Sequence, residues 1–244
     1  MGATDIEIVV VYDNNPYAAG LRTGWGFSCV LTGTEKTILF DSGGEGRVLL
    51  QNLETLGITP KQVDVIVLSH SHGDHTGGLK AFLGENHDVT VYLPESFPER
   101  LKGEVKRLGA EVVEVKSPVE ICRAVYSTGE LGTSIMEQSL VAHTERGLIV
   151  ITGCAHPGIV KIVSHAKGLI KDNVFLVMGG FHLGGLSKGT IEDIVSRFRE
   201  LGVEYVGPCH CSEEMSRKLF NEVYGKHFLD VGVGRIVKIQ DLNY

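Results

Sequence analysis

Short apolar, β-branched runs alternate along the chain with stretches whose apolar residues recur at helical spacing. In the first half the runs predict strands at Ile6 to Tyr12, Phe27 to Leu31, Thr37 to Phe40, Val63 to Leu68, Val89 to Leu93 and Glu111 to Val115. In the second half they predict Cys122 to Tyr126, Ser139 to His143, Leu148 to Ile151, Val174 to Met178, Tyr205 to Val206, Phe228 to Asp230 and Gly234 to Ile239. Helices are predicted over Gly46 to Leu56, Gly77 to Leu83, Pro98 to Leu108, Ile159 to Ile170, Thr190 to Leu201 and Glu213 to Tyr224. In the first of these, Val48, Leu49, Leu53 and Leu56 share one face. Each half opens with a meander of strands and continues as a strand–helix alternation. That order predicts an α/β (α+β) fold of two mixed sheets, each with helices on one face, stacked as a four-layer αββα sandwich. No Pro/Ser-rich linker or charge block divides the 244 residues, so one domain is expected.

Composition narrows the partners. The net charge of −7 comes without any Lys/Arg cluster, which argues against a nucleic-acid partner. The longest apolar stretches fall far below the ~20 residues of a membrane span, so no membrane partner is expected. The N-terminal MGATDIEIVVVYD has no basic stretch before its apolar residues, and the five cysteines are odd in number and scattered. A reduced, cytoplasmic setting is the expectation. The 31 glycines show no collagen-like period and call for many turns and close backbone approaches.

The segment Leu68-Ser-His-Ser-His-Gly-Asp-His-Thr-Gly-Gly-Leu79 carries the chemistry: three histidines and an aspartate fall within six residues, directly after an apolar strand. His70 and His72 are two apart, so on an extended backbone both imidazoles point to one side. Gly73 allows a turn, after which Asp74 and His75 open a helix and face the same pocket. The first pair suits one metal and the second pair another. The plainer reading is a polar loop whose histidines are solvated or cap a helix.

This His-x-His-x-Asp-His pattern resembles that of the metallo-β-lactamase fold superfamily, which implies the αββα sandwich and a one- or two-metal centre at the sheet ends. The run TILFDSGG (37–44) is similar to that family's strand ending in Asp-x-Gly, and the resemblance implies that Asp41 supports the metal-binding loop without ligating; an ordinary turn aspartate is the alternative. IVITGCAHPG (149–158) is similar to the family's strand ending in Thr-Gly-Asp, with Cys154 where the bridging aspartate usually stands. His156, two residues on, is the expected ligand of the first metal. Cys154 stays open between a ligating or bridging thiolate and an inert buried thiol. His143 is a rival for that position, but its closeness to Cys154 in sequence favours a mid-strand histidine facing solvent or a neighbour. In YVGPCHCS (205–212), His210 is expected at the second metal, with Cys209 and Cys211 facing away on an extended backbone as packing residues. His182, just past an apolar strand, is a candidate substrate-binding group or general acid, against the alternative of tying down a glycine loop. His87, His165 and His227 have no partner pattern.

Tyr12-Asp-Asn-Asn-Pro16, Gly24-Trp-Gly-Phe-Ser28, Gly153-Cys-Ala-His156, Gly179-Gly-Phe-His182 and Pro208-Cys-His-Cys211 together resemble the superfamily branch that includes 7,8-dihydropterin-6-methyl-4-(β-D-ribofuranosyl)aminobenzene 5′-phosphate synthase. The resemblance implies an enzyme with two divalent metal ions, Zn before Fe or Mn, acting on a phosphate- or ester-bearing small molecule. As a hydrolase it uses the metals to acidify water and polarise a carbonyl or phosphoryl oxygen, with Asp74 orienting the nucleophile. As a transferase it clamps a diphosphate leaving group while an aromatic amine attacks a pterin methylene carbon. The loop from Asn14 to Trp25 is a candidate lid: Trp25 suits stacking on a flat ring or plain core packing, and Arg22 suits a phosphate. From another class come a non-catalytic metal-binding module and a di-iron redox protein. Against them stand His/Asp ligation with open positions and a length that leaves no room for an electron-carrier domain. Oligomeric state is not legible.

Overall fold

The computed structural model describes residues 5–242. In chain order the first elements are β1 (Glu7–Asp13), β2 (Phe27–Thr32), β3 (Ile38–Phe40), α1 (Gly46–Thr55), β4 (Val65–Val67), α2 (Gly73–Thr76), α3 (Leu79–Glu85), β5 (Thr90–Pro94), α4 (Glu99–Arg107) and β6 (Glu111–Val115). There follow β7 (Val119–Cys122), β8 (Val125–Ser127), β9 (Leu140–Thr144), β10 (Gly147–Thr152), α5 (Ile159–Ile170), β11 (Val174–Gly180), α6 (Lys188–Glu200), β12 (Tyr205–Cys209), α7 (Glu213–Tyr224) and β13 (Ile236–Lys238). Two mixed sheets result, in the orders β13-β1-β2-β3-β4-β5-β6 and β12-β11-β10-β9-β8-β7. In each, an antiparallel meander passes into parallel pairs, β3/β4/β5/β6 and β10/β11/β12, wherever a helix intervenes.

The strand runs are apolar almost without interruption because both faces of each sheet are covered. In β1, Ile8 and Val10 join Phe27, Phe40, Ile149 and Met178 in the layer between the sheets, while Val9 and Val11 face the other way, toward Leu49, Leu53 and Phe82. The outer face of the second sheet packs Val150 and Val177 on Ile162, Val163, Phe198 and Phe220. Three apolar layers between four structural layers are the αββα sandwich. In α5, Ile159, Ile162, Val163 and Ala166 recur at three- and four-residue spacing and form the buried stripe. No helix among the described residues is long and apolar enough to cross a membrane.

The structure departs from the sequence expectations at four places. The Cys122 to Tyr126 strand is the turn of a hairpin, β7/β8, where Ala124 takes a left-handed φ of 63°. The Gly77 to Leu83 helix is preceded by a separate turn of helix, α2, and α3 begins only at Leu79. Phe228 to Asp230 forms no ladder, only a bridge from Phe228 to Val206. The final strand, β13, leaves its own half and pairs antiparallel with β1, Glu7 opposite Lys238. The halves therefore interlock.

Candidate metal centre

In open sheets with parallel strands, ligands bind beyond the carboxyl ends of the strands. Here β3 ends at Asp41, β4 runs into Ser69 and His70, β10 into Cys154 and His156, β11 into His182, and β12 into His210. Side chains from both sheets thus meet at one edge of the sandwich.

Their geometry is that of lone pairs facing one another. His70 Nε2 lies 3.1 Å from His72 Nδ1, and His75 Nε2 lies 3.3 Å from His210 Nε2 and 3.2 Å from Cys154 Sγ. Asp74 Oδ2 is 3.3 Å from His210 Nε2 and 3.6 Å from His75 Nε2. The potential ligand atoms fall into three groups, Asp74 with His75, Cys154 and His210, then His70 with Cys154 and His156, then Cys154 with His182 and Cys211, so Cys154 belongs to all three. His72, exposed at the rim, adjoins the second group through His70 and through His156, whose ring centroid is 5.0 Å from its own.

The far nitrogens of four imidazoles each have a partner. His75 Nδ1 donates to Asp41 Oδ2 at 2.7 Å, and His156 Nδ1 to Glu137 Oε2 at 2.9 Å. His210 Nδ1 donates to Asn14 Oδ1 at 2.8 Å; the Asn14 amide donates in turn to the His210 carbonyl, which fixes its orientation. His70 Nδ1 donates to Ser69 Oγ at 2.9 Å, and that hydroxyl donates to Asp41 Oδ2 at 2.7 Å. With one proton spent on each outer partner, the inner nitrogens of neutral imidazoles carry bare lone pairs. Between neutral imidazoles two such lone pairs at 3.3 Å repel, and either a second proton on His75 or a cation between them relieves the contact. The donor set therefore fits divalent metal ions, its mix of imidazole, carboxylate and thiol suiting Zn or Fe.

The electrostatics differ from one ligand atom to the next. Burial pushes His70 down to about 2, with repulsion from His75 adding to it, so it is a neutral donor. Burial would raise the Asp74 carboxyl, but His210 and His75 hold it well below the usual carboxylate range. Burial would also lower His75, yet Asp41, Asp74 and Glu137 outweigh it and hold its pKa up.

Local backbone explains the placement. His72 is extended and precedes α2, which puts Asp74 in the first turn and turns His75 inward. Asp41, fully buried with φ 56°, also accepts from Ser69 N at 2.7 Å, tying β3 to the loop after β4. Gly153 is required by this contact: a Cβ there would lie 2.1 Å from Ser69 Oγ and 2.9 Å from Asp41 Oδ2. Gly153→Ala is expected to cost about 1–3 kcal/mol of stability. A urea-unfolding midpoint equal to that of the parent chain would contradict it.

Sequence reasoning missed Glu137. Buried in the loop before β9, it accepts from the backbone N–H groups of Cys154 (2.9 Å), Ala155 (2.8 Å) and His156 (3.0 Å), as well as from the His156 ring. Burial alone would raise it, but the His156 hydrogen bond, the nearby His70 and the backbone donors hold it at about 2. No motif or spacing marks Glu137 in the sequence. Asn14 was placed in the candidate lid; its hold on His210 emerges only from the fold.

Cys211 corrects another expectation. His210 adopts a left-handed φ of 49° and opens a turn of 3₁₀ helix, so the extended geometry that would point Cys211 away does not apply. Cys211 Sγ accepts from His182 N at 3.3 Å and groups with Cys154 and His182. Its thiol is held below the ordinary range by Cys154 and by His182. Cys209 does pack between the sheets. The His182 ring stands 4.5 Å from that of His156 at the mouth of the cluster, and its pKa is raised chiefly by Cys211.

The loop from Asn14 to Trp25 is pinned by Asn52 of α1, which bonds the backbone of Arg22 in both directions and the carbonyl of Val11. Trp25 is 61% exposed with its ring centroid 5.0 Å from that of His210, which excludes core packing. The Arg22 side chain is exposed. His143 lies elsewhere, paired with Asp172 at 2.8 Å. His165 bonds the Thr128 carbonyl, and His227 stacks on Tyr205.

Similarity to known proteins agrees with this architecture. The chain is 28% identical to 7,8-dihydropterin-6-methyl-4-(β-D-ribofuranosyl)-aminobenzene-5′-phosphate synthase of Methanocaldococcus jannaschii, over 84% of this chain and 85% of that one. A crystal structure described as a metal-dependent hydrolase of the β-lactamase superfamily superposes with a TM-score of 0.82 at 29% identity, covering 96% of this chain and 99% of the other. The metallo-β-lactamase fold protein YhfI from Bacillus subtilis shares the fold at a TM-score of 0.73 and 14% identity, covering 96% and 99%. The family profile described as the metallo-beta-lactamase superfamily matches residues 24–166, more than half of the chain. The protein belongs to the metallo-β-lactamase superfamily.

Proposed function

We propose that the protein is an enzyme that holds two divalent metal ions and acts on a phosphate- or ester-bearing small molecule. The observation that carries this reading is the convergence of bare imidazole lone pairs, a carboxylate and a thiol, with outer nitrogens already hydrogen-bonded. His70, His72 and His156 would hold one ion and Asp74, His75 and His210 the other, with Cys154 in reach of both. When bound, such ions supply Lewis-acid polarisation of a phosphoryl or carbonyl oxygen and lower the pKa of water.

The chain's own groups do the rest. Asp74 is anionic and half-buried, placed to orient a nucleophile and take its proton at Oδ. His182, exposed at the mouth with its pKa raised, is placed to protonate a leaving group. Trp25 offers an open aromatic face beside His210 for a flat ring. That face, together with the likeness to the synthase, favours transfer onto an aromatic amine with departure of diphosphate; the likeness to a hydrolase favours water as the nucleophile.

Metal analysis of the purified protein is expected to find two ions per chain, and finding none sinks the reading. Condensation of a dihydropterin diphosphate with an aminobenzene ribofuranosyl phosphate, assayed beside phosphodiester, lactone and thioester hydrolysis, separates the two reactions. Turnover of a simple ester that vanishes in His72→Ala supports the hydrolase. Condensation without hydrolysis supports the synthase, and Trp25→Ala is then expected to raise KM for the ring-bearing substrate about tenfold without moving the melting temperature.

A further inference from the structure

A cavity of about 570 Å³ lies beside the cluster, between the start of α5, the loop after β11 and one turn of α6. Ile159, Phe181 and Leu183 form its buried floor, and Val160, Leu186 and Ile194 its half-buried walls. His156 and His182, the two rings that stand 4.5 Å apart at the mouth of the candidate metal centre, also line it. A molecule that reacts at the cluster in contact with these two rings therefore lies next to the cavity. Lys161 and Ser164, both exposed, line it as well, and no carboxylate does although the chain as a whole carries a net charge of −7. A larger cleft of about 670 Å³ near Asn15 differs in being mostly polar and charged, with only Phe228 apolar in its lining, and Arg217 within it is already paired with Asp230 at 2.5 Å.

Small-molecule sites typically enclose about 300–1,000 Å³, mostly apolar, with a few polar groups that set orientation. We infer that this cavity is the specificity pocket for an apolar ring or acyl portion of the substrate, whose outer end is anionic and meets Lys161. The inference rests on the proposed function for the position of the reacting group. The cavity selects by size and by charge: a single ring or a short acyl chain fits between Phe181 and Ile194, and a cationic end is disfavoured by Lys161.

The test uses the full chain loaded with Zn²⁺ and three hydroxamates, whose head groups chelate metal: acetohydroxamate, 4-phenylbutanohydroxamate and the same compound with a para-carboxylate. Calorimetry is expected to show the phenyl compound binding about 30-fold tighter than acetohydroxamate, the gain from removing a ring from water. The carboxylate adds about threefold, lost in Lys161→Ala. Ile194→Trp and Leu186→Trp, which fill the cavity from its half-buried walls, abolish the phenyl preference and leave acetohydroxamate binding and metal content unchanged. A preference under twofold, or one that persists in both tryptophan variants, overturns the pocket. If no hydroxamate binds because no metal is held, the reading of the metal centre fails separately. The cavity is then judged with 8-anilinonaphthalene-1-sulfonate, an aromatic anion: its fluorescence gain is expected with the parent chain and lost in Ile194→Trp, and an equal signal in both overturns the inference.

Discussion

Replacing Glu137 with leucine is expected to lower the stability of the metal-free protein by at least about 3 kcal/mol and to weaken binding of metal by roughly 10–100-fold. The carboxylate is 1% exposed and accepts three backbone N–H groups and the His156 ring at 2.8–3.0 Å. Leucine fills the space but accepts nothing, so three buried N–H groups lose their partner, each worth about 1–3 kcal/mol. The segment after β10 then has no reason to keep the left-handed turn at Ala155, whose φ is 61°, and His156 loses both its tautomer and its aim. Glu137→Gln is the discriminating control: it keeps one acceptor oxygen and the shape but loses the charge. The pH dependence has a definite sign. A carboxyl held at about 2 instead of 4.5 contributes roughly 3 kcal/mol that is fully present above pH 4.5 and is lost as pH falls through 2. Acid unfolding of the metal-free parent between these limits should therefore be steeper than that of Glu137→Gln. Equal curves, together with an unchanged urea midpoint for Glu137→Leu, would falsify this role.

Asp41→Ala is the second large effect, expected at about 3–5 kcal/mol. Asp41 accepts from Ser69 N, Ser69 Oγ and His75 Nδ1, all at 2.7 Å, at a site with no water access. Burial pushes its carboxyl up and its charge pushes His75 up, so the pair retains one proton on the imidazole side. Alanine removes the acceptor while leaving His75 buried, and it adopts the left-handed φ at this position less readily than aspartate does. Asp41→Asn keeps that backbone preference and one acceptor, so it separates the two contributions. Calorimetric titration with Zn²⁺ should show weakened binding in both variants, because His75 Nδ1 and, through Ser69, His70 Nδ1 lose their orienting partner. Parent-like affinity in Asp41→Ala would show that the imidazoles are aimed by packing alone.

What was legible in the sequence was whatever is local. His70, His72, Asp74 and His75 sit within six residues after one strand, so period-two alternation and a helix start were enough to aim them at one pocket. The strand ends carrying Cys154, His156, His182 and His210 were visible as apolar runs breaking into glycine and proline. What was illegible depends on φ angles or on partners far along the chain. Cys211 reaches Cys154 only because His210 is left-handed, and Glu137 has no pattern around it until β9 is laid beside β10. The pattern of Gly234 to Ile239 predicts a strand, which the fold shortens to Ile236–Lys238, but that pattern would serve either sheet, and only pairing with β1 decides it.

That pairing bears on how the molecule is made. β1 and β13 close one edge of the first sheet from positions more than 220 residues apart, and Asn14 grips His210 across 196. Contacts of such separation are slow to form, because loop closure must precede any reward from them. On a ribosome, the first half emerges with His70, His72 and His75 in place yet cannot gather its remaining ligands until β12 has been synthesised. The candidate centre, drawn from both halves, is therefore complete only late in synthesis, after the first sheet's own strands have been made.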